Sequence, residues 1–273
     1  MFENKEFSMT DADYRFISQT VYDECGIVLS DQKKDMVYSR LARRIRALKL
    51  GNFKNYIEYL QSHKEEEFVE FINAITTNLT SFFREPHHFE FLQNTVIPEI
   101  KENHKLDKRV RIWSAGCSTG MEPYTIAMST ANAFPTNWDY KILATDLDTQ
   151  VLATAKAGVY QGSSVTGIND DLLKTHFLHD TEGERYKVKD DLRKMITFKQ
   201  LNLLEPWPMK GEFDVIFCRN VVIYFDLETK NKLFSRYAEL LRPNGYLILG
   251  HSETMSREVK EFASVGRTIY QKV

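Results

Sequence analysis

The chain has 273 residues, 42% of them hydrophobic and 27% charged, with 12 Gly and 7 Pro. That excludes a disulfide mini-protein and a fibrous or linker-like chain, and leaves room for one large domain or two modest ones. Lys+Arg 36 against Asp+Glu 38 gives a net charge of -2, so the molecule as a whole is not built to condense on nucleic acid or an anionic membrane.

Three cysteines, Cys25, Cys117 and Cys218, stand far apart and in no C-x-x-C pair, which speaks against a disulfide framework or a zinc knuckle. No run of 18 apolar residues occurs, and the start MFENKEFSMT lacks the basic-then-apolar order of a signal peptide. A soluble, cytoplasmic protein is expected.

From residue 10 to about 77 the apolar residues recur at helical spacing, which predicts an all-helical unit. Thr10 and Asp11 suit the start of a first helix that Gly26 ends; Ser30 or Asp31 suits the start of a second that Gly51 closes. Shorter helices follow over 53–60 and 66–75, and the run Glu65, Glu66, Glu67 reads as a solvated first turn. The second helix sets Val37, Leu41, Ile45 and Leu48 on one side and Arg40, Arg43 and Arg46 on the other. Between Lys33 and Lys49 lie seven basic residues, Arg44 among them, and one acid, Asp35. Like charges on one helix repel, so an acidic partner is expected; RNA is the competing reading, but no stacking aromatics are interleaved with the arginines.

After about residue 105 short apolar strands alternate with helices: strands at 110–115, 140–145, 196–201, 213–218 and 246–249, helices at 123–134, 149–157 and 227–241. Alternation of this kind predicts an α/β fold whose mostly parallel sheet binds ligands at the carboxyl ends of its strands. The alternation breaks between 158 and 194, where 184–188 reads as part of a small antiparallel insertion, and 267–273 reads as an antiparallel edge strand.

The segment RIWSAGCSTGMEPY at 111–124 runs from a strand through a glycine-rich turn into a helix opened by Pro123. It lacks both G-x-G-x-x-G and G-K-[ST], so phosphate cradling is not expected. Glu122 reads either as a helix-start carboxylate or as a ligand group. Asp146 ends the next strand, the place from which a carboxylate accepts both hydroxyls of a ribose. A ribose without phosphates points to S-adenosylmethionine: Glu122 beside the glycine loop would repel a pyrophosphate but not a cationic sulfonium and ammonium. Asn202 can read an adenine edge with Leu203 packed on the ring, and Asn220 and Tyr224 fall just past the strand at 213–218.

At this point the chain resembles the CheR-type chemotaxis receptor glutamate O-methyltransferases. The resemblance runs from Phe16 onward and is carried by AITTNLTSFFREPHHF at 74–89, by 113–124, by ATDLD at 144–148, by FCRNVVIYF at 217–225 and by GHSE at 250–253. It implies a helical substrate-recognition domain, 1–82, joined to a class I, Rossmann-like S-adenosylmethionine-dependent methyltransferase domain, 83–273, with a small β subdomain inserted at about 158–194. It also implies methyl transfer to glutamates on the cytoplasmic helices of chemoreceptors, giving methyl esters.

By the same resemblance Asn78, Thr80, Arg84, Glu122, Asp146, Asn202, Leu203, Asn220 and Val221 contact the cofactor. Arg84 would clamp its carboxylate with two hydrogen bonds, and Arg84 and Tyr224 would serve the reaction. Arg40, Arg43, Arg44 and Arg46 would face the acidic receptor helix. Adjacent His87 and His88 point about 100° apart on a helix and offer no metal pair, so no metal is expected. Neither nucleic acid nor membrane insertion is expected, and a monomer is. The loop at 181–185 is short, so the receptor-peptide docking known from some relatives is not carried over. A different methyltransferase, or a sensor that binds the cofactor without turnover, would share the cofactor residues.

Overall fold

The computed structural model describes residues 5–273, so residues 1–4 of the expected first domain lie outside the described residues. Helix α1 (Asp11–Cys25) opens on a reciprocal cap. Thr10 Oγ1 accepts from the Asp13 N–H at 3.1 Å, and the Asp13 carboxylate accepts from the Thr10 N–H at 2.7 Å. Gly26 ends α1 at φ 68. Helix α2 (Lys34–Ala47) is entered through a single tight turn at Asp31–Lys33, and the Ser30 side chain makes no capping bond. It stops at Leu48, with Lys49 in the left-handed region at φ 57, so Gly51 is not its terminator.

Helices α3 (Phe53–Ser62) and α4 (Lys64–Ile75) complete the unit. Ile17, Val21, Leu41, Ile45, Phe53, Tyr56 and Phe71 are fully buried between the four. The third glutamate of the acidic run is not solvated. Glu67 is 1% exposed and is held by Arg44 through two bonds of 2.8 and 2.5 Å and by the Tyr56 hydroxyl at 2.9 Å.

Residues 76–86 lead to α5 (His87–Phe91), which passes through one wide turn into α6 (Ile97–Asn103). The alternating region then runs β1 (Arg109–Ala115), α7 (Met121–Thr130), β2 (Asp139–Asp146), α8 (Thr149–Ala157), β3 (Val159–Gln161), α9 (Asp170–His176), β4 (Phe177–Asp180), β5 (Arg185–Val188) and α10 (Asp190–Arg193). It continues with β6 (Ile196–Gln200), β7 (Phe213–Cys218), α11 (Leu227–Leu240), β8 (Leu241–Leu249), β9 (Phe262–Gly266) and β10 (Ile269–Lys272).

Among the described residues seven strands form one sheet in the order β6-β2-β1-β7-β8-β10-β9, with β6, β2, β1, β7 and β8 parallel. A separate antiparallel sheet, β3-β5-β4, fills the expected insertion. The chain starts in the middle at β1, builds outward to β6 and returns to β7. The order therefore reverses between β1 and β7, where a ligand crevice opens in folds of this kind.

Two expectations change here. Strand β10 is not the rim of the sheet: it pairs with β8 on one side and with β9 on the other, and β9 is the edge. Strand β8 begins at Leu241, well before the apolar run at 246–249, because its polar stretch Arg242 to Gly245 is carried alongside Phe213 across a register shift.

Both faces of the sheet are covered. Ile112, Phe217 and Ile248 pack to one side and Trp113, Ile216 and Tyr237 to the other, all at most 1% exposed. Trp113 donates its indole N–H to Thr145 Oγ1 at 2.9 Å and meets the Trp207 ring edge-on at 4.9 Å. Its truncation to Ala would cost about 3–5 kcal/mol. The buried sheet therefore fixes the carboxyl ends of β1, β2 and β7 relative to one another, which is what a site built across them requires.

Candidate active site

A cleft opens at those carboxyl ends. The glycine loop after β1 forms its floor. Gly116 has φ 92, and a Cβ there would lie 2.2 Å from Val221 Cγ2; Gly120 has φ 88, and a Cβ there would lie 2.8 Å from Ala155 Cβ. Both positions need glycine for the turn and for the close approach. The N–H groups of Gly116 and Cys117 both donate to Thr145 O, at 2.8 and 2.9 Å, which ties the loop to β2.

Asp146 follows directly on Thr145. Its Oδ2 accepts from the Ser118 N–H at 2.7 Å and its Oδ1 from the Asp148 N–H at 3.0 Å. Burial pushes this carboxyl up to about 6, with the two N–H donors pulling the other way. Each oxygen keeps a lone pair beyond its one backbone donor, so the group can still accept two hydroxyl hydrogens.

Glu122 stands in the first turn of α7, as the helix-start reading has it. It is buried, accepts from Ser114 Oγ at 2.7 Å, and pairs with Arg219 at 3.0 Å. Burial raises its pKa and Arg219 opposes that rise. Because Arg219 neutralises the carboxylate in place, the repulsion of a pyrophosphate expected from Glu122 does not hold by itself.

Arg219 was not singled out by the sequence, although an arginine closing an otherwise apolar strand was a usable signal. Its guanidinium lies 3.3 Å from Glu85, donates to the Arg84 carbonyl, and sits over the Phe89 ring at 5.4 Å. Glu253 was missed as well. It is 2% exposed and accepts from the N–H groups of Gly250, Asn220 and Ile223 at 2.6, 2.7 and 3.1 Å. This carboxylate clasps the 220–224 loop and holds Asn220 at φ 58.

Asn78, Thr80, Arg84, Glu122, Asp146, Asn202, Leu203, Asn220, Val221 and Tyr224 all line the one cleft. Several of their polar groups are already engaged. Asn202 Nδ2 donates to Glu24 O at 2.7 Å and its Oδ1 accepts from the Leu204 N–H at 3.0 Å. Asn78 Nδ2 donates to Asp148 at 2.7 Å. Arg84 donates to Leu79 O at 3.0 Å and stands 3.9 Å from Glu85, with a third of its side chain exposed. Lys33 Nζ lies 5.1 Å from the centre of the Tyr224 ring. The opposite wall comes from the helical unit, through Cys25, Ile27, Leu29, Lys33 and Met36.

The arginines of α2 are placed differently from a free basic face. Arg40 donates to the carbonyls of Ile75 and Thr76 at 2.5 and 2.8 Å, Arg44 is taken up by Glu67, and Arg46 pairs with Glu6. Arg43 is exposed and has no ion-pair partner among the described residues. Acids from other parts of the unit thus meet two of these four arginines, Arg44 and Arg46. Nor does His87-His88 form a free pair: His88 is buried, its Nε2 3.2 Å from Arg267 O and 3.1 Å from Thr268 Oγ1. Among the described residues no helix is long and apolar enough to cross a membrane.

Comparison with known proteins joins these observations. The family described as CheR methyltransferase, SAM binding domain, matches residues 78–271, and CheR methyltransferase, all-alpha domain, matches 12–76. A probable chemotaxis protein methyltransferase of Rhizobium etli is 44% identical over 257 residues, 92% of this chain and 96% of its own. The chemotaxis protein methyltransferase of Salmonella typhimurium is 42% identical over 273 residues, covering 97% and 92%. Chemotaxis protein methyltransferase 2 of Pseudomonas aeruginosa is 42% identical over 274 residues, covering 99% and 96%.

S-adenosylmethionine is the cofactor, and the cleft suits it. Asp146 has acceptors left for a ribose, and Leu203 and Val221 offer apolar surface.

Proposed function

The chain belongs to the CheR methyltransferase family and is an S-adenosylmethionine-dependent methyltransferase, and from that premise we propose that it methylates glutamate side chains on the cytoplasmic helices of chemoreceptors. We take residues 1–82 as the domain that recognises the receptor and 83–273 as the one that binds the donor, in a cytoplasmic monomer. The observation that carries the reading is the shared cleft, walled on one side by Gly116, Asp146 and Asn220 of the sheet and on the other by Lys33 and Met36 of the helical unit. An acceptor that docks on the helical unit arrives directly beside the donor.

The chemistry asks little acid–base work of the protein. A glutamate side chain has an ordinary pKa of about 4.3, so it reaches the site already ionised and needs no general base. The cofactor, when bound, supplies an electrophilic methyl group. Asp146 would hold the ribose, Arg84 would meet the amino-acid carboxylate, and Tyr224 would orient the incoming carboxylate through its hydroxyl. Ile27, Leu29 and Met36 exclude water from the reacting groups. Alignment and desolvation then supply the rate enhancement. Arg43, exposed on α2, faces the acidic side of the receptor helix, with Arg40, Arg44 and Arg46 shaping the surface around it.

The test is incubation of the protein with labelled S-adenosylmethionine and receptor-containing membranes, followed by alkaline release of methanol and peptide mapping. Base-labile label on receptor glutamates is expected, with Tyr224→Phe lowering kcat by roughly tenfold or more. Label that resists base, or appears on nucleic acid or a small molecule, would overturn the acceptor assignment. Unaltered turnover in Tyr224→Phe would overturn the role given to the hydroxyl.

A further inference from the structure

Asp148 is 2% exposed, beyond Asp146 in the β2–α8 turn. One of its oxygens caps α8, accepting from the N–H groups of Gln150 and Val151 at 2.8 and 3.2 Å. The other reaches out of the sheet domain altogether. It accepts from Thr76 Oγ1 and from Asn78 Nδ2, each at 2.7 Å, both in the segment that joins the helical unit to the sheet.

These bonds close a ring. The Asp148 N–H donates to Asp146 Oδ1 at 3.0 Å, Asp146 Oδ2 accepts from the Ser118 N–H at 2.7 Å, Ser118 Oγ donates to Asn78 O at 2.9 Å, and Asn78 Nδ2 returns to Asp148. The ribose-holding acid, the glycine loop, the joining segment and the cap of α8 are therefore one hydrogen-bonded unit. The helical side is tied in as well, since Arg40 grips Thr76 O at 2.8 Å and Asn73 Oδ1 accepts from the Thr149 N–H at 3.1 Å.

A helix cap needs one oxygen. The second, buried and doubly hydrogen-bonded to another part of the chain, is not explained by capping. The geometry points to Asp148 as a positioning residue for the donor site: it sets the joining segment, and with it Thr80 and Arg84, in register with Asp146. Asp148 does not itself line the cleft; it acts through the lining residues it bonds, Asp146, Asn78 and Thr76. The inference deepens the functional reading above and rests on its placement of the donor in this cleft.

The experiment separates the two oxygens. In the full-length protein, Asp148→Ser keeps a good helix cap but is too short to reach Thr76 and Asn78, whereas Asp148→Ala loses both. Affinity for S-adenosylhomocysteine is read by calorimetry and fold by thermal melting. Asp148→Ser should recover most of the melting temperature lost in Asp148→Ala and yet bind roughly tenfold more weakly than wild type, the scale set by losing charge-assisted hydrogen bonds. Thr76→Val, similar in outline, removes one donor without touching the cap and should weaken binding by a smaller factor, about threefold.

Wild-type affinity in Asp148→Ser overturns the proposal, since the cap alone would then account for the residue. So does affinity that falls only in step with melting temperature across the three variants. Should Asp148→Ser fail to fold, unchanged affinity in Thr76→Val overturns it and weakened affinity supports it. A wild-type protein that binds the product but esterifies no receptor glutamate would sink the acceptor reading and leave this comparison intact.

Discussion

Arg219 and Glu122 meet at 3.0 Å in the lining of the cleft, with only 2% and 10% of their side chains exposed. Neither charge has water to fall back on. Removing Arg219 strands Glu122, whereas Arg219 without Glu122 still has Glu85 at 3.3 Å; loss of the arginine costs about 3–5 kcal/mol. Arg219→Met should lower the urea unfolding free energy by that amount, and adding Glu122→Gln should return a good part of it. A single variant within about 1 kcal/mol of wild type would show that the pair is not holding the floor of the cleft.

Asp146 should make donor binding pH-dependent. Its folded-state value of about 6 means that the carboxylate is ionised at neutral pH and gains a proton as pH falls through that value. The protonated group loses acceptors, so affinity for S-adenosylhomocysteine should hold steady above pH 7 and decline below 6, by no more than about tenfold per pH unit for one proton. Asp146→Asn should bind weakly with a flat profile. For stability the sign runs the other way: with the folded value raised above the ordinary 3.8, this group's favourable contribution is complete below 3.8 and is lost as pH rises through 6.

His88 supplies a second and separable pH effect. Burial, then the charges of Arg219 and His87, hold it down at about 4 against an ordinary 6.5, while Arg267 O and the Glu85 carboxylate oppose them. The folded protein keeps this ring neutral; the unfolded chain protonates it below 6.5. Stability should therefore fall as pH drops from 6.5 towards 4, by about 2 kcal/mol at pH 5. Urea unfolding at pH 7 and 5 should show a smaller difference for His88→Gln than for wild type. Equal differences would mean that the ring takes up its proton in the fold.

Gly116→Ala tests the floor of the cleft by stereochemistry alone. A methyl at φ 92 is strained at about 1–3 kcal/mol, and it would also press on Val221 Cγ2. The variant should unfold earlier and bind S-adenosylhomocysteine more weakly. Combining it with Val221→Ala should relieve the contact while the backbone strain stays. Full recovery in the double variant would assign the whole effect to the contact.

Local pattern was enough for the parts of this molecule that local physics builds. Thr10 and Gly26 bracket α1 because capping and left-handed termination act within a few residues. The alternation of apolar runs and helices revealed the parallel sheet, and Gly116 and Asp146 stood at strand ends where such sheets open. What stayed hidden depends on partners distant in the chain. Arg219 meets Glu122 across 97 positions, and Asn220 meets Glu253 across 33, so neither pair leaves a periodic trace.

The same reason explains the misreadings. Glu67 looks like one acid in a solvated run until Arg44 and Tyr56 close over it, and the arginines of α2 look uncompensated when only their own helix is counted. Strand β9, FASVG, buries only Phe262 and exists because β10 offers it an open side.

The wall that Cys25, Ile27, Leu29, Lys33 and Met36 contribute to the cleft means that neither half of this protein owns the donor site. A chimera that took its first 75 residues from another member of the family would import a foreign surface against Leu203 and Tyr224 as well as a new receptor preference. On the reading proposed above, retuning which receptor is chosen would be bound to retuning how tightly the methyl donor is held, and the two traits could drift apart only as far as that shared surface permits.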